Sequence, residues 1–228
     1  MDNKPKKRKG GFLITIGLLT IIAALGLVGY NVWDAKRAED ASKEIVDQLD
    51  AVLPEERTLP EEPMIEEAPT REEEAQEEEE KYPPMPVVEI DGYYYIGELD
   101  IPDLGLHLPV MSEWDMDRLK ISPCHYSGSY YSNDLVILAH NYARHFSLIK
   151  WIDIGAEIYF TNVEGVVYQY EVSNRVTLEP AQVSEMIKNQ NNTKGEEQED
   201  VEDWDLTLFT CNTGGSTRCA VRCVRVDE

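Results

Sequence analysis

The sequence predicts an all-β barrel or sandwich with short helices, attached to one transmembrane helix by an acidic linker. Three observations lead to this prediction. An uncharged apolar run extends from Gly10 to Trp33, a stretch rich in proline and glutamate ends at Pro86, and short strand-like runs separated by turn residues follow from Val87. The predicted divisions are a basic tail (1–9), a transmembrane helix (10–33), a stalk and linker (34–86) and a folded domain (87–228).

The apolar run from Gly10 to Trp33 is long enough to cross a membrane, because about 20 apolar helical residues span the hydrocarbon core. Lys4 to Lys9 form a basic flank of the kind that stays in the cytoplasm. The alternative is a cleaved signal peptide, whose apolar region is only about 7 to 15 residues long. We therefore predict an uncleaved single-pass anchor whose N-terminus is cytoplasmic and whose folded domain is extracellular.

The segment from Asp34 to Pro86 is predicted to connect the membrane helix to the folded domain. Apolar residues recur at spacings of three and four between Asp34 and Leu53, which predicts a narrow amphipathic stalk helix, either a solvated extension of the membrane helix or a coiled coil. The stretch from Pro54 to Pro86 combines seven prolines with many glutamates, which predicts an extended, self-repelling linker. We therefore expect a protein that begins near Lys81 to fold and stay active.

The distribution of charge excludes one class of partner. Between Glu39 and Glu80 there are 18 acidic and three basic residues, which account for most of the net charge of −23. Nucleic-acid binding is excluded because phosphate contacts need a basic face. The glutamates from Glu72 to Glu80 follow no loop pattern of a calcium site, and no metal or other cofactor is predicted.

Short strand-like runs fill the chain after Val87, and their number and spacing predict a barrel or a sandwich. The predicted strands are Tyr93–Pro102, Leu104–Met111, a run ending at His140, Ala156–Asn162, Val166–Leu178, Leu206–Cys211 and Thr217–Val226. A helical turn is predicted within Asp115–Lys120, a short helix around Phe146–Trp151 and a further helix over Pro180–Gln190. The polar, acidic stretch from Asn191 to Asp203 then precedes the last two strands.

The four cysteines do not follow the pattern of a disulfide scaffold or a zinc site. Cys219 and Cys223 are four residues apart on one predicted strand, about 13 Å along it, which exceeds the limit of about 7 Å for a disulfide. We predict that both are small core residues. Cys124 precedes His125, but neighbours on an extended chain point to opposite sides, so a dyad is not predicted there.

Cys211 lies where thiol chemistry is favoured. It ends a strand, the turn residues Asn212 to Ser216 follow, and the returning strand brings Arg218 near the thiol. His140 ends the apolar run from Asp134 and can supply a base. A neighbouring imidazolium or guanidinium favours the thiolate, which is the nucleophilic form of cysteine. By contrast, His107 and His145 are interpreted as surface residues, with a groove position for His145 as the alternative.

These residues resemble a sortase, the membrane-anchored cysteine transpeptidase of Gram-positive bacteria. The strand end Leu138–Asn141 (Leu-Ala-His-Asn), the later strand Thr207–Cys211 (Thr-Leu-Phe-Thr-Cys) and Arg218 at the start of the last strand carry the resemblance. It covers the chain from Tyr93 to Val226. Of the two predicted architectures, the resemblance selects the barrel, with eight strands.

The resemblance implies acyl transfer from a C-terminal sorting motif similar to Leu-Pro-x-Thr-Gly. Cys211 would attack the threonine carbonyl, and His140 would protonate the departing amine and later deprotonate the incoming one. Arg218 would hold the substrate carbonyl or the oxyanion, with the backbone N–H that follows Cys211 as a further donor. Thr210, Asn141 and Asn212 are the candidate substrate-binding residues.

The implied partners are sorting-motif peptides of secreted surface proteins and an amine acceptor, either a cell-wall precursor or a pilin lysine. The acidic stretch from Asn191 to Asp203 lies where the family forms its peptide groove, so it is either a specificity element or a plain surface loop. Two other functions stay open. A cysteine hydrolase of the papain type is disfavoured because its cysteine opens a helix, and a membrane-tethered binding module would keep the barrel without catalysis.

Overall fold

The structure, a computed structural model, describes residues 9–54, 56–60, 82–182, 204–212 and 214–226. It divides into two compact units, Met1–Arg37 and Ala38–Glu228. Most of the predicted acidic linker lies outside the described residues, as do the predicted helix from residue 183 onward and the acidic stretch up to Asp203.

Helix α1 (Lys9–Val52) contains the predicted membrane-spanning run. Within the first unit its apolar side chains, such as Leu13 and Leu25, are exposed. The helix is long and apolar enough to cross a membrane. The ring of Tyr30 lies 6.0 Å from that of Trp33, between ring centroids, at the end of the apolar run.

The part of α1 that belongs to the second unit packs on the barrel. Ala38, Ser42, Ile45 and Leu49 are buried and lie on one face of the helix at spacings of three and four. Ile45, Leu49 and Leu53 form a core with residues of the sheet that include Tyr95 and Met111. The helix ends before Pro54, which lacks the N–H needed to continue it. The stalk is therefore packed against its own domain, an arrangement that neither sequence-based alternative included.

The second unit is a closed barrel of eight strands to which one short strand is added. The strands are β1 (Val88–Ile90), β2 (Tyr93–Ile101), β3 (Leu106–Met111), β4 (Cys124–Ser127), β5 (Leu135–Leu138), β6 (Glu157–Asn162), β7 (Val167–Leu178), β8 (Leu206–Cys211) and β9 (Arg218–Arg225). Their order in the sheet is β1-β2-β3-β4-β5-β8-β9-β7-β6, and a further pairing of β2 with β6 closes β2 to β9 into a barrel. The predicted eight-stranded barrel is thus confirmed.

Closure depends on a close approach of β2 to β6 at Gly97. Gly97 pairs with Asn162, and its φ is +155°. A Cβ at this position would lie 2.0 Å from the carbonyl oxygen of Thr161, closer than any side chain can approach. Glycine is therefore required where the two strands meet.

The interior of the barrel is filled by alternate residues of its strands, as the period-two pattern of β8 predicts. Leu206 and Leu208 of β8 face Val221 and Cys223 of β9 in this interior cluster. Cys219 also belongs to it. Cys219 and Cys223 are therefore buried core residues with free thiols, as the sequence predicts.

Two strands and the exact ends of several others differ from the sequence-based expectation. β1 and β4 were not expected, because β1 has only three residues and β4 reads Cys-His-Tyr-Ser, without apolar alternation. The predicted helical turn in Asp115–Lys120 and the predicted helix at Phe146–Trp151 are 3₁₀ helices over Arg118–Lys120 and Phe146–Trp151, and a third such helix spans Pro102–Leu104.

The start of the predicted linker also pairs with the barrel. Thr58 donates its N–H to the carbonyl of Gly165 (3.1 Å) and accepts a bond from the N–H of Val167 (2.7 Å). Nearby, the guanidinium of Arg57 lies 3.1 Å from carboxylate oxygens of both Asp50 and Glu98. Residues 56–60 are thus part of the second unit, which the expectation of an extended linker from Pro54 onward did not include.

Candidate active site

The parallel strands β5 and β8 bring His140 beside Cys211. Leu135 pairs with Leu206, and Leu138 pairs with Phe209 in the same register. The pairing continues past the strand end, because the N–H of Ala139 donates to the Phe209 carbonyl (3.2 Å). Two residues beyond Leu138 and Phe209 in this register are His140 and Cys211. Neighbouring strands are about 4.8 Å apart, so the register places the two residues side by side.

The antiparallel hairpin of β8 and β9 brings Arg218 to the other side of Cys211. The two residues are direct partners in the ladder, so their side chains lie on the same face. His140, Cys211 and Arg218 thus form a row across three adjacent strands, with the thiol in the centre.

This row lies on the outer face of the barrel. Ala139 and Leu208 belong to the interior cluster, whereas Leu138, Phe209 and Ala220 belong to a separate outer apolar cluster. Side chains alternate along each strand, so His140, Cys211 and Arg218 have the same outward direction as Leu138, Phe209 and Ala220. The row therefore continues the outer apolar cluster at the carboxyl ends of β5 and β8.

Aromatic side chains extend the outer apolar cluster away from the row. The ring of Tyr126 packs edge-on against Phe209 (5.2 Å between centroids) and contacts Trp114 (5.5 Å). Trp114 is about half exposed, so this end of the cluster is open to solvent. The sequence did not single out Trp114 or Tyr126, because aromatic spacing alone does not tell which face of a barrel a residue occupies.

Exposure separates Cys211 from the other three cysteines, and all four lie in the described part of the chain. Cys124, Cys219 and Cys223 are fully buried, while Cys211 is half-buried. Burial raises the pKa of the Cys124 thiol to about 12 and also raises the pKa values of Cys219 and Cys223. Only Cys211 among the four therefore has the access that thiolate chemistry needs.

The chain after His140 forms a tight loop that returns to it. The N–H of Phe146 donates to the carbonyl of His140 (3.3 Å), and the N–H of His145 donates to the carbonyl of Tyr142 (3.1 Å). The Tyr142 ring contacts both imidazoles, with its centroid 5.0 Å from that of His140 and 5.5 Å from that of His145. The backbone and a ring contact thus tie His140 to His145.

His145 is a buried residue, so both sequence-based alternatives for it, a surface residue or a groove residue, are wrong. Its side chain is fully buried, and its Nε2 lies 3.1 Å from the hydroxyl of Ser42 on helix α1. Burial lowers the pKa of His145 to about 4, and the charge of His140 acts in the same direction. Near neutral pH, His145 is therefore uncharged.

The three candidate substrate-binding residues have different surroundings. The Thr210 hydroxyl is buried and donates to the carbonyl of Ala139 (2.8 Å), which cross-links β8 to β5 directly below the row. The Asn212 amide donates to the hydroxyl of Thr217 (2.8 Å) and so stabilises the hairpin turn. Asn141 Oδ1 is buried and has no hydrogen-bond partner within the part of the chain that the structure describes.

The backbone N–H after Cys211, which the resemblance makes a further oxyanion donor, is engaged in a hydrogen bond within the protein. That N–H belongs to Asn212 and donates to the carbonyl of Thr217 (2.9 Å), which extends the β8–β9 ladder by one rung. Arg218 uses its Nη1 to donate to the carbonyls of Gly215 (3.0 Å) and Thr217 (3.3 Å). These bonds hold one terminal nitrogen of the guanidinium against the hairpin turn, and the ladder partner of Arg218 is Cys211.

One group of potential metal ligands lies away from the row. Ligand atoms of Asp50, Glu98 and His107 are within 4.8 Å of one another. The guanidinium of Arg57 already contacts two of these carboxylates, and a hydrogen bond to Glu98 raises the pKa of His107. The arrangement is therefore explained as an ion-pair network that attaches α1 and residues 56–60 to β2 and β3.

Comparisons with known proteins agree on one family. The family model described as "Sortase domain" matches residues 99–226, more than half of the chain. Comparison with the curated proteins finds no match.

Solved structures that are similar to this chain include three sortases. Sortase C1 from Streptococcus suis is 27% identical, with a TM-score of 0.46 over 58% of this chain and 73% of that one. Sortase C from Clostridium perfringens, solved with the C-terminal cell wall sorting motif, is 22% identical, with a TM-score of 0.47 over 59% and 71%. A sortase D5 transpeptidase from Clostridium perfringens is 20% identical, with a TM-score of 0.48 over 69% and 89%.

Proposed function

The chain belongs to the sortase family, and from this premise we propose that it is a cysteine transpeptidase that cleaves a Leu-Pro-x-Thr-Gly-like sorting motif. In this proposal Cys211 is the nucleophile, His140 the general acid and base, and Arg218 the oxyanion donor. The product is an amide between the threonine of the sorting motif and an amine acceptor. The proposal is carried by one observation, the row of His140, Cys211 and Arg218 across β5, β8 and β9.

In the first half-reaction the Cys211 thiolate attacks the carbonyl carbon of the threonine. The negative charge that develops on the carbonyl oxygen is stabilised by the guanidinium of Arg218. The threonine–glycine C–N bond then breaks, and His140, as imidazolium, gives its proton to the departing amine. The result is a thioester on Cys211, a neutral imidazole and a released peptide with a free amino group.

In the second half-reaction an amine attacks the thioester carbonyl. Neutral His140 takes the proton that the attacking nitrogen loses, and the thiolate of Cys211 leaves as the new amide bond forms. The enzyme thereby returns to its starting protonation state. His145 does not exchange protons in this cycle near neutral pH, because burial lowers its pKa to about 4.

The outer apolar cluster supports a substrate with apolar residues before the scissile bond. It continues from the row through Leu138 and Phe209 to the exposed ring of Trp114. An extended peptide that crosses Cys211 can place a leucine and a proline along such a surface. Apolar contacts of this kind contribute roughly 1.5 to 3 kcal/mol for each buried side chain.

The acceptor in this proposal is a cell-wall precursor amine or a lysine of a pilin, and the chain acts outside the cell from a membrane anchor. Helix α1 has the length and composition for that anchor. The substrates, secreted proteins with a sorting motif, are held at the same membrane. Tethering both partners raises their effective concentration without any new contact.

A panel of fluorogenic sorting-motif peptides, each with and without an added amine, tests the proposed function. Wild type should form a peptide–amine conjugate that mass spectrometry identifies, and Cys211→Ala should form none. Cys124→Ala and Cys219→Ala serve as matched controls and should stay active while folded, since both thiols are buried. Full turnover by Cys211→Ala would refute the proposal. Peptide hydrolysis that no amine changes would instead indicate a cysteine hydrolase, and a folded protein that forms no acyl-enzyme on Cys211 would indicate a binding module.

A further inference from the structure

Helix α1 contacts the loop that follows the catalytic histidine. Within the second unit, the hydroxyl of Ser42 donates to the carbonyl of Ile121 (2.7 Å) and lies 3.1 Å from Nε2 of His145. Three residues before Ser42 on the same helix, Glu39 lies 3.5 Å from the guanidinium of Arg144. The loop is thus attached to the helix through two successive loop residues. His145 makes a buried hydrogen bond, and Arg144 makes an ion pair at the surface.

The hydrogen bonds define which nitrogen of His145 carries the proton. A serine hydroxyl has one hydrogen, and the Ile121 carbonyl accepts it, so the Ser42 oxygen acts as an acceptor toward His145. Nε2 of His145 therefore carries the N–H and donates to Ser42. Hydrogen bonding to the backbone of Ala38 and Ile121 also favours a protonated ring nitrogen, because it raises the pKa of His145 against the larger effect of burial. Nδ1 has the lone pair and no hydrogen-bond partner within the described part of the chain, although it is buried.

An unpartnered polar atom in the core destabilises a protein, because it loses its hydrogen bonds to water and gains none in return. Packing alone would be served better by an apolar ring at residue 145, because such a ring has no atom that needs a partner. The histidine contributes something an apolar ring cannot, namely a donor that reaches Ser42. Because His145 directly precedes Phe146, its bond to Ser42 also holds the loop that begins at His140.

Two links run from His145 to His140. The residue after His145 is Phe146, whose N–H donates to the carbonyl of His140 itself (3.3 Å). The ring of Tyr142 contacts both imidazoles. A displacement of His145 therefore moves the backbone of His140 and also the Tyr142 ring that contacts the His140 imidazole.

We propose that Ser42 and His145 are positioning residues, and that helix α1 sets the orientation of the His140 imidazole through them. The inference rests on the proposed function, since it assigns His140 as the acid and base. Neither Ser42 nor His145 touches the substrate or the thiol. They act on the reaction through the loop 140–146, which the helix holds in one position.

Two substitutions in the full-length protein, kept in detergent, test the proposal. Ser42→Ala removes the side-chain acceptor of the His145 N–H and leaves the backbone carbonyls of Ala38 and Ile121. His145→Phe keeps an aromatic ring and also removes the unpartnered Nδ1, so the melting temperature should hold or rise.

Each of the two variants should lower kcat by about 10- to 100-fold, the effect of a small misplacement of a catalytic group. KM for the sorting peptide should stay within about twofold, because the substrate contacts remain. The double variant should lose no more than either single variant, because both remove the same bond.

Leu49→Ala is the matched control. Leu49 is fully buried on the same face of the helix, in the core with Ile45 and Tyr95, two turns beyond Ser42. This variant weakens the packing of the helix without removing the bond to His145. It should lose more stability than Ser42→Ala and keep most of its kcat. If Leu49→Ala lowers kcat as much as Ser42→Ala does, general packing explains the effect and the proposal is wrong.

A measurement that does not need turnover separates this inference from the proposed function. The ¹⁵N-labelled imidazole of His140 should show an altered tautomer ratio and titration midpoint in Ser42→Ala. The rate at which iodoacetamide alkylates Cys211 should show a changed pH profile, since the other three thiols are buried. Unchanged His140 signals in Ser42→Ala would overturn the inference. A wild-type protein without transpeptidation but with these spectral changes would refute the proposed function and keep the coupling.

Discussion

Arg218 faces Cys211 across the β8–β9 hairpin, and its role depends on the geometry of its donors. Its Nη1 is bonded to the carbonyls of the hairpin turn, which holds one arm of the guanidinium fork. Arg218→Lys keeps the positive charge and loses the planar set of donors. We therefore expect kcat to fall by about 10²- to 10³-fold, the usual effect of removing one oxyanion donor. Steady-state kinetics with a sorting peptide check this.

A second arginine on the same strand provides the control for Arg218→Lys. Arg222 lies four residues beyond Arg218 on β9. Its guanidinium stacks on the indole of Trp204, 3.9 Å from the ring centroid. Arg222→Lys should change stability and leave kcat nearly unaltered. Equal losses of kcat in the two variants would mean that Arg218 acts through the fold and not through the oxyanion.

His145 makes stability depend on pH. Its pKa in the folded protein is about 4, below the value of about 6.5 in an unfolded chain. Between these two values the unfolded state binds more protons than the folded state, so the free energy of unfolding rises with pH in this window and falls as pH drops through it. The whole effect amounts to about 3 kcal/mol. His145→Phe should remove this part of the slope in urea denaturation between pH 4 and pH 6.5, and an unchanged slope would contradict the assignment.

At the scale of secondary structure, the pairing of β2 with β6 leaves no room for a side chain at Gly97. A Cβ on Gly97 would lie 2.0 Å from the backbone oxygen of Thr161, and a backbone atom cannot rotate away as a side chain can. Gly97→Ala should therefore separate the closing strands and destabilise the domain by more than about 3 kcal/mol, the range of the most disruptive substitutions. Thermal unfolding followed by circular dichroism measures this loss.

Gly105 distinguishes the close contact at Gly97 from the effect of backbone conformation. Its φ is +58°, yet nothing lies within 4 Å of the position of a Cβ. Gly105→Ala should cost only about 1 to 2 kcal/mol, the strain of a left-handed residue. If Gly97→Ala is no worse than Gly105→Ala, β2 and β6 are further apart than the structure has them.

At the scale of the whole molecule, the helix segment from Ala38 to Leu53 is part of the folded unit. Ile45, Leu49 and Leu53 are buried on it, and each contributes about 1.5 to 3 kcal/mol. Their sum is comparable with the total stability of a typical domain, about 5 to 15 kcal/mol. We therefore expect a protein that begins at Ala38 to unfold cooperatively and one that begins at Lys81 to lose much of its stability, which reverses the expectation from sequence. Denaturant unfolding of both fragments decides between them, and equal stabilities would restore that expectation.

The orientation of the chain in the membrane remains a prediction, based on the basic residues before the apolar run. With Lys4 to Lys9 in the cytoplasm, a protease added to intact cells should release a fragment that contains Cys211. A tag placed before Lys4 should stay protected until the cells are lysed. Protection of Cys211 in intact cells would mean the opposite orientation.

The sequence by itself determined the class of the fold, the family and the three residues proposed for catalysis. These follow from local patterns: alternation along strands predicts a sheet, and an uncharged apolar run predicts a membrane helix. The motifs around His140, Cys211 and Arg218 indicated the family, which the match to the sortase domain confirms. Each of these signals is carried by one continuous stretch of the chain, so it can be recognised without knowledge of distant contacts.

Only the tertiary structure decided what the apolar stripe of the stalk covers, that Thr58 is hydrogen-bonded to Gly165 and Val167, and that His145 is buried against Ser42. Ser42 and His145 are 103 residues apart. An amphipathic stripe shows that a helix buries one face but not which surface it meets, and a histidine five residues after a strand has no pattern that separates core from surface. The free energy of such contacts depends on which distant elements the fold brings together, and local sequence does not contain that information.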